Sequence, residues 1–398
     1  TRLTLDRPAD SPPGPQPGHL GFTVQERTDQ AERLLRDIGL TQRFAPLVLL
    51  IGHGSNSLNN PHKSAYDCGA CGGSPGGPNS RTAAALLNDA AVRANLLQRG
   101  IRIPADCYFV GGYHNTCDDS VQLFDLEAVP ATHRAALEAV QQRLEIACER
   151  NAHERCRRFQ SAPLSLTPAE ARRHVQGRSE DLAQPRPELG HATNALCIVG
   201  RRERTRGLFL DRRAFLTSYD PTSDPPGAPI LTRLLQAVFP VCAGINLEYY
   251  FSHVDSMGYG CGTKLPHNVT ALLGVMDGAA SDLRTGLPWQ MVEFHEPVRL
   301  LIVCETTEAI LLDVLKKNPS LGTLADNGWV QLAVLHPDRN TLAVYRQGRF
   351  QPYTPTAHSL PVAASSFDWY RGWREHLEFA SIVAVPENPS AAAGGNHA

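Results

Sequence analysis

The hydrophobic pattern alternates between short continuous apolar runs and longer stretches of helical period. "FAPLVLLIGHGS", residues 44–55, is apolar without interruption and ends in glycines, which predicts a buried parallel strand whose carboxyl end opens into a loop at His53. Upstream, "TVQERTDQAERLLRDIG" reads as an amphipathic helix stopped by Gly39. Downstream, "GGPNSRTAAALLNDAAVRANLLQRG" aligns Leu86, Ala90, Ala94 and Leu97 on one face, with Asn79 or Ser80 as the cap and Gly100 as the stop, predicting one helix. "DCYFVGGYHNTCDD" predicts a second strand running into Gly-Gly and His114. A long helix near 129–158 begins at Pro130, and Thr167 with Glu170 forms the Thr-x-x-Glu pattern of a capping box. "ATNALCIVGRRE" and "VRLLIVCETT" predict further strands and "TEAILLDVLKK" a helix, while "WVQLAVLHP" and "TLAVYRQG" pair as a hairpin through "DRN". Strands alternating with helices in this way make an α/β fold with parallel-sheet elements.

The pattern breaks in three places. Residues 1–24 are Pro-rich and read as a connector, and residues 386–398 read as a disordered tail. From about 204 to 297 the periodicity is lost among Asp220, Asp224 and several glycines, which predicts a long irregular insertion, a lid or partner-facing surface, within a domain covering 25–385. Tyr249, Tyr250, Phe251, Tyr259, Leu265 and Trp289 are the large apolar residues of that insertion that a core or a partner must cover.

Composition narrows the function classes. In 398 residues, 42% are hydrophobic and 20% charged, a globular balance, and 38 basic against 40 acidic residues give no electrostatic footprint for nucleic acid. The aliphatic runs fall short of the roughly 18 apolar residues of a membrane helix, and no basic amphipathic helix or lipidation motif stands out. Ten cysteines without a signal peptide favour a reduced, cytosolic setting for a chain that starts at Thr1 rather than at methionine.

The chemistry concentrates in "GHGSNSLNNPHKSAYDCGACGG". Cys68 and Cys71 form a C-x-x-C that suits a zinc half-site, a redox pair or two incidental small residues. A redox pair normally opens a helix, whereas this one sits in Gly-rich loop, and no second C-x-x-C exists for a four-cysteine site. Imidazole and thiolate are the donors zinc prefers, and glycines let the backbone pass close to an ion. Zinc needs three or four protein ligands, so His53 must be joined by others, with His62, Asp67, His114, Cys117 and Asp118 as nearby donors. A second loop gathers Cys261, Lys264, His267 and Asn268 as an anion- or partner-contacting turn or a plain structured one. Arg284, Trp289, Glu293, His295 and Glu296 read as a buried aromatic with ion-paired neighbours. Gly-His-Gly-Ser at 52–55 lacks the Gly-x-Ser-x-Gly order of a serine hydrolase.

Taken together, "GHGSNSLNNPHKSAYDCGACGG", "GGPNSR", "GINLEYYFSHVD", "YGCGTKLPHNV", "SDLRTGLPWQMVE" and "HEPVRLL" resemble the carboxyl-terminal half of the DabA family of inorganic carbon transporter subunits, in separated blocks over roughly residues 25–375. The resemblance implies a β-carbonic-anhydrase-like core and one zinc ion held by a cysteine and an aspartate of an upstream Cys-x-Asp-x-Arg motif together with His53 and Cys68. No Cys-x-Asp-x-Arg occurs in the 398 residues, so two ligands are expected from a longer polypeptide or from another chain. It further implies hydration of CO2 to bicarbonate, since zinc lowers the pKa of water from ~16 toward ~7. Hydration would be coupled to an integral membrane, ion-conducting, DabB-like subunit, with this protein bound peripherally on the cytoplasmic face of the bacterial inner membrane. A zinc-stabilised, non-catalytic scaffold is the alternative.

Overall fold

The computed structural model describes residues 5–58, 73–181, 194–260, 294–356 and 359–383, with Leu3, Asp67, Cys71 and the segments 267–270, 274–277, 283–284, 286–287 and 289–292. It is a mixed α/β protein with parallel and mixed sheets. Strands β1 (Leu47–Gly54) and β2 (Tyr108–Asn115) run parallel, and β3 (Ser120–Leu123) returns antiparallel to β2. One face of this sheet presents Val48, Leu50 and Phe109 to α1 (Val24–Asp37), α2 (Gly77–Asn88) and α3 (Ala90–Gln98), where Leu35, Leu87 and Leu96 are fully buried. The other face packs Leu47, Leu49 and Val110 with Leu137 of α4 (Arg134–Cys156). Two apolar faces are what an uninterrupted run such as "LVLLI" requires of its surroundings.

Local sequence explains most element ends. Thr23 caps α1 and exchanges hydrogen bonds with Glu26, a capping box repeated by Thr167 and Glu170 at the start of α5 (Pro168–Ser179). The one helix expected between a cap at Asn79 or Ser80 and the stop at Gly100 is two helices. Asp89 is extended, ends α2, and accepts the Val92 amide at 2.9 Å to start α3, so a good N-capping residue in mid-run wins over continuation. Neither Asn79 nor Ser80 caps α2; Gly76 does, and the Ser80 hydroxyl instead donates to the Gly77 and Gly112 carbonyls, tying the helix to β2.

Among the described residues the second sheet has six strands, in the order β13-β12-β11-β10-β4-β6. Strands β4 (Leu196–Gly200), β6 (Ala214–Ser218), β10 (Leu301–Glu305) and β11 (Gln331–Leu335) are parallel. Strands β12 (Leu342–Arg346) and β13 (Arg349–Tyr353) extend the sheet antiparallel, the expected hairpin plus one more strand. Helices α8 (Glu308–Lys317) and α9 (Pro319–Asp326) pack on it. A small sheet joins β5 (Leu208–Phe209), β14 (Val362–Ala363) and β15 (Ala380–Ile382), and β7 (His267–Thr270), β8 (Gly274–Asp277) and β9 (Leu283–Arg284) form an antiparallel one.

The stretch from 204 to 297, expected to be irregular, carries regular structure over much of its described length. Helix α6 (Pro229–Val238) passes through a π-helical turn, Phe239–Ala243, into α7 (Gly244–Val254). Pro240 cannot sustain α-helical hydrogen bonding, and the π turn absorbs it without ending the helix. That proline is why the sequence pattern hid a 26-residue helix. By length and composition Pro229–Val254 is apolar enough to cross a membrane, although Leu231, Leu235, Phe239 and Tyr249 on it are buried in the protein's own cores. Tyr249 is therefore a core residue, whereas Tyr259 is 63% exposed and Trp289 38%. Leu265 lies outside the described residues, as do the expected tail and part of the Pro-rich stretch. The described part of that stretch folds back on α1, with Arg7 buried and donating to both Glu26 carboxylate oxygens.

Candidate functional site

His53 stands at the carboxyl end of β1, exposed, in register with His114 on β2. In open α/β sheets ligands gather outside the carboxyl ends of strands, and the loops leaving β1 and β2 meet there. Two glycines make the place possible. A Cβ on Gly52 would fall 2.2 Å from the Gly76 carbonyl oxygen, and one on Gly54 would fall 2.6 Å from Tyr113 Oη and 2.8 Å from Asp67 Oδ1. The His53 carbonyl accepts the Gly76 amide at 2.7 Å, so the chain that leaves β1 returns against it before entering α2. Gly52→Ala is accordingly expected to lower stability by about 1–3 kcal/mol through overpacking. Chemical denaturation measures it, and an unchanged midpoint would show that the Gly76 segment yields.

The start of the loop is pinned by buried acceptors. Asp67, 5% exposed, accepts the Ser55 amide at 2.9 Å, and Asn115 Oδ1 accepts the Asn56 amide at 2.9 Å. Burial, with the Asp67 charge adding to it, pushes the Tyr113 phenol up to about 12, so this ring stays a neutral hydrogen-bonding group at neutral pH.

Under the histidine pair lies a polar network. His114 Nε2 is 3.3 Å from Asp119 Oδ1, and Asp119 also takes the Asn151 amide at 2.7 Å and an ion pair from Arg155 of α4. Asp119 and Arg155 are 2% and 0% exposed. Burial alone would raise the Asp119 carboxyl, but the Arg155 charge and the hydrogen bonds from His114 and Arg155 hold it well below the ordinary carboxylate range.

The donors named from sequence divide accordingly. His53, Asp67 and His114 come to one end of the sheet. Cys117 is fully buried, and Asp118 is turned to the Ser120 amide and hydroxyl, at 2.9 and 2.7 Å. Cys68 and His62 lie outside the described residues. Cys71 is half-buried, and its sulfur accepts from Asn79 Nδ2 at 3.0 Å, which ties the loop to the first turn of α2. Among the described residues no three histidine, cysteine or carboxylate side chains come together as a metal cluster. Arg155 and Asn151 were not foreseen, because polar residues inside a long mixed helix read as surface until the turn carrying Asp119 is placed against them.

The other loops contribute less. Cys261 and Lys264 fall outside the described residues, and of His267, Asn268, Arg284 and Glu293 no side chain is described. His295 is buried with its ring 5.6 Å from that of Tyr249 and Glu296 has an ion-pair partner in Arg213, but Trp289, the aromatic expected to be buried, is 38% exposed.

Comparison with known proteins fixes the relationship. The family described as "Probable inorganic carbon transporter subunit DabA" matches residues 1–330. The chain belongs to the DabA family. Among its relatives, the protein named "Probable inorganic carbon transporter subunit DabA 2" of Sorangium cellulosum is 55% identical over 373 residues, covering 94% of this chain and 36% of the relative. Another with the same name, from Rhodopirellula baltica, is 52% identical over 382 residues, 96% of this chain and 36% of its own length. The DabA of Methylococcus capsulatus, also named as a probable inorganic carbon transporter subunit, is 50% identical over 385 residues, again 36% of its length. The chain thus spans about a third of the curated relatives it matches. No solved structure matches it.

Proposed function

We propose that this chain is the part of an inorganic carbon transporter subunit that contributes His53 and Cys68 to a zinc site for hydrating CO2 to bicarbonate, in a β-carbonic-anhydrase-like core. The observation that carries the reading is the placement of His53. It is an exposed imidazole at a strand's carboxyl end, between two glycines at which a Cβ would fall within 2.2 Å of the Gly76 carbonyl oxygen or 2.6 Å of the Tyr113 hydroxyl, in a protein of this family. The donor chemistry fits zinc, since a neutral imidazole and a thiolate are borderline-soft ligands, and the remaining positions fall to residues outside this segment. Zinc bound there supplies hydroxide at neutral pH for attack on CO2. The chain's own groups do the positioning. The Gly76 amide holds the His53 backbone, Asp67 and Asn115 hold the start of the loop, and Asn79 holds Cys71, three residues along the chain from the expected thiolate.

Coupling to an integral membrane, ion-conducting subunit completes the proposal and places the protein peripherally on the cytoplasmic face of the inner membrane. Exposed Tyr259 and Trp289 suit the partner-facing side. The test is uptake of labelled inorganic carbon, with membrane fractionation, in cells making the complete protein with and without its membrane subunit. Uptake and membrane association should both require the partner. A protein that stays on the membrane without the partner would sink the docking, and a zinc-loaded protein that supports no uptake would leave the scaffold reading.

A further inference from the structure

Among the described residues, the outer edge of β1 has backbone groups without a strand partner, unlike the rest of its sheet. The Pro46 and Gly54 carbonyls accept from Tyr108 and Thr116 of the β2 segment, each at 2.8 Å. Strand alternation therefore turns Val48, Leu50 and Gly52 toward β2 and Leu47, Leu49, Ile51 and His53 away from it. Of the outward residues, His53 has its carbonyl paired with Gly76. Among the described residues, no backbone group pairs with Leu47, Leu49 or Ile51 on that side.

The opposite edge of the sheet is handled differently. Where β3 does not reach, the Asn88 side chain accepts from the Phe109 amide at 3.0 Å and donates to its carbonyl at 2.7 Å, and the Phe124 amide takes the Gly111 carbonyl at 2.8 Å. Phe109 and Val110 in β2 are 1% and 2% exposed, whereas Leu47, Val48, Leu49 and Leu50 are only half-buried and Ile51 is 40% exposed. "LVLLI" contains no charge, proline or bulge, the devices by which open edges are blunted. Apolar side chains on both faces of an open edge strand are the mark of a strand made for the interior of a sheet.

We infer that the outer edge of β1 receives a further β-strand, parallel to it, from the portion of the complete polypeptide outside these 398 residues. The relatives supply the material, since this chain covers 36% of their length. The orientation follows from the parallel β1–β2 pair and the coverage of both faces. Such a strand runs alongside Leu47–Ile51 and delivers its carboxyl end next to His53. The inference uses the family's length and not the zinc site, so either can fail alone.

Two measurements on the complete protein test it. Residue-resolved hydrogen exchange, at a concentration where light scattering shows a monomer, compares the outward amides of Leu47, Leu49 and Ile51 with the inward amides of Val48 and Leu50. A paired edge gives rates within about thirtyfold of one another; faster exchange of the outward set by more than that overturns the inference. A photo-reactive residue in place of Ile51, read by mass spectrometry, identifies the occupant. A cross-link to a peptide outside residues 1–398 of the same chain is expected, and one to a second copy or to a peptide within residues 1–398 overturns it.

Discussion

Cys68→Ala in the complete protein is expected to reduce bound zinc from about one per chain to a small fraction of that, and His53→Ala to do the same. A thiolate and an imidazole are each one of four bonds to a small ion with no preferred geometry of its own, so losing either leaves too few donors to compete with chelators. Elemental analysis after dialysis against a chelator reads the effect. Cys71→Ser separates ligand from neighbour, because its sulfur already accepts a hydrogen bond from Asn79 and a hydroxyl can take the same bond. Zinc should remain in that variant, with activity only partly reduced. Zinc unchanged in Cys68→Ala, or gone in Cys71→Ser, would overturn the assignment, the second outcome in favour of a site using both cysteines and a histidine.

How far these conclusions were legible in the sequence depends on the range of the interactions. Elements set by neighbours in the chain came through: the capping box at Thr167, the stops at Gly39 and Gly100, and the parallel run ending at His53. Gly39 and Gly100 adopt the left-handed conformation, φ +72° and +85°, that makes glycine the natural helix stop. What failed was competition that pattern counting cannot weigh. Asp89 split a helix that its flanking apolar residues would have continued, and Pro240 masked one that a π turn carried through. At the site, the reason for Gly52 lay in Gly76, across a loop, and the reason for Arg155 lay in Asp119, 36 residues upstream. Composition marks neither, since an arginine in a helix and a glycine after a strand are ordinary until the chain folds back on them.

That distant pair carries a large expected stability consequence. Asp119→Ala leaves the Arg155 guanidinium, 0% exposed, as an unpaired buried charge, and should cost about 3–5 kcal/mol in chemical denaturation. Replacing both partners by apolar residues, Asp119→Leu with Arg155→Met, should recover much of that loss, because the penalty comes from the orphaned charge rather than from the absent attraction. The pH dependence has a definite sign. The folded-state carboxyl of Asp119 lies below its ordinary value of 3.8, so its stabilisation is fully present above about pH 4 and is lost as pH falls through the lowered folded value. Asp119→Asn should therefore flatten the fall of stability with acid below about pH 4, while remaining less stable than the parent at pH 7. The same substitution reaches the candidate site, since the Asp119 carboxylate fixes the His114 ring that stands beside His53. A parent-like slope in acid together with a loss under about 1 kcal/mol for Asp119→Ala would mean that water or a rearranged Asn151 takes over the guanidinium, and the network would then lose its role in holding the two histidines together.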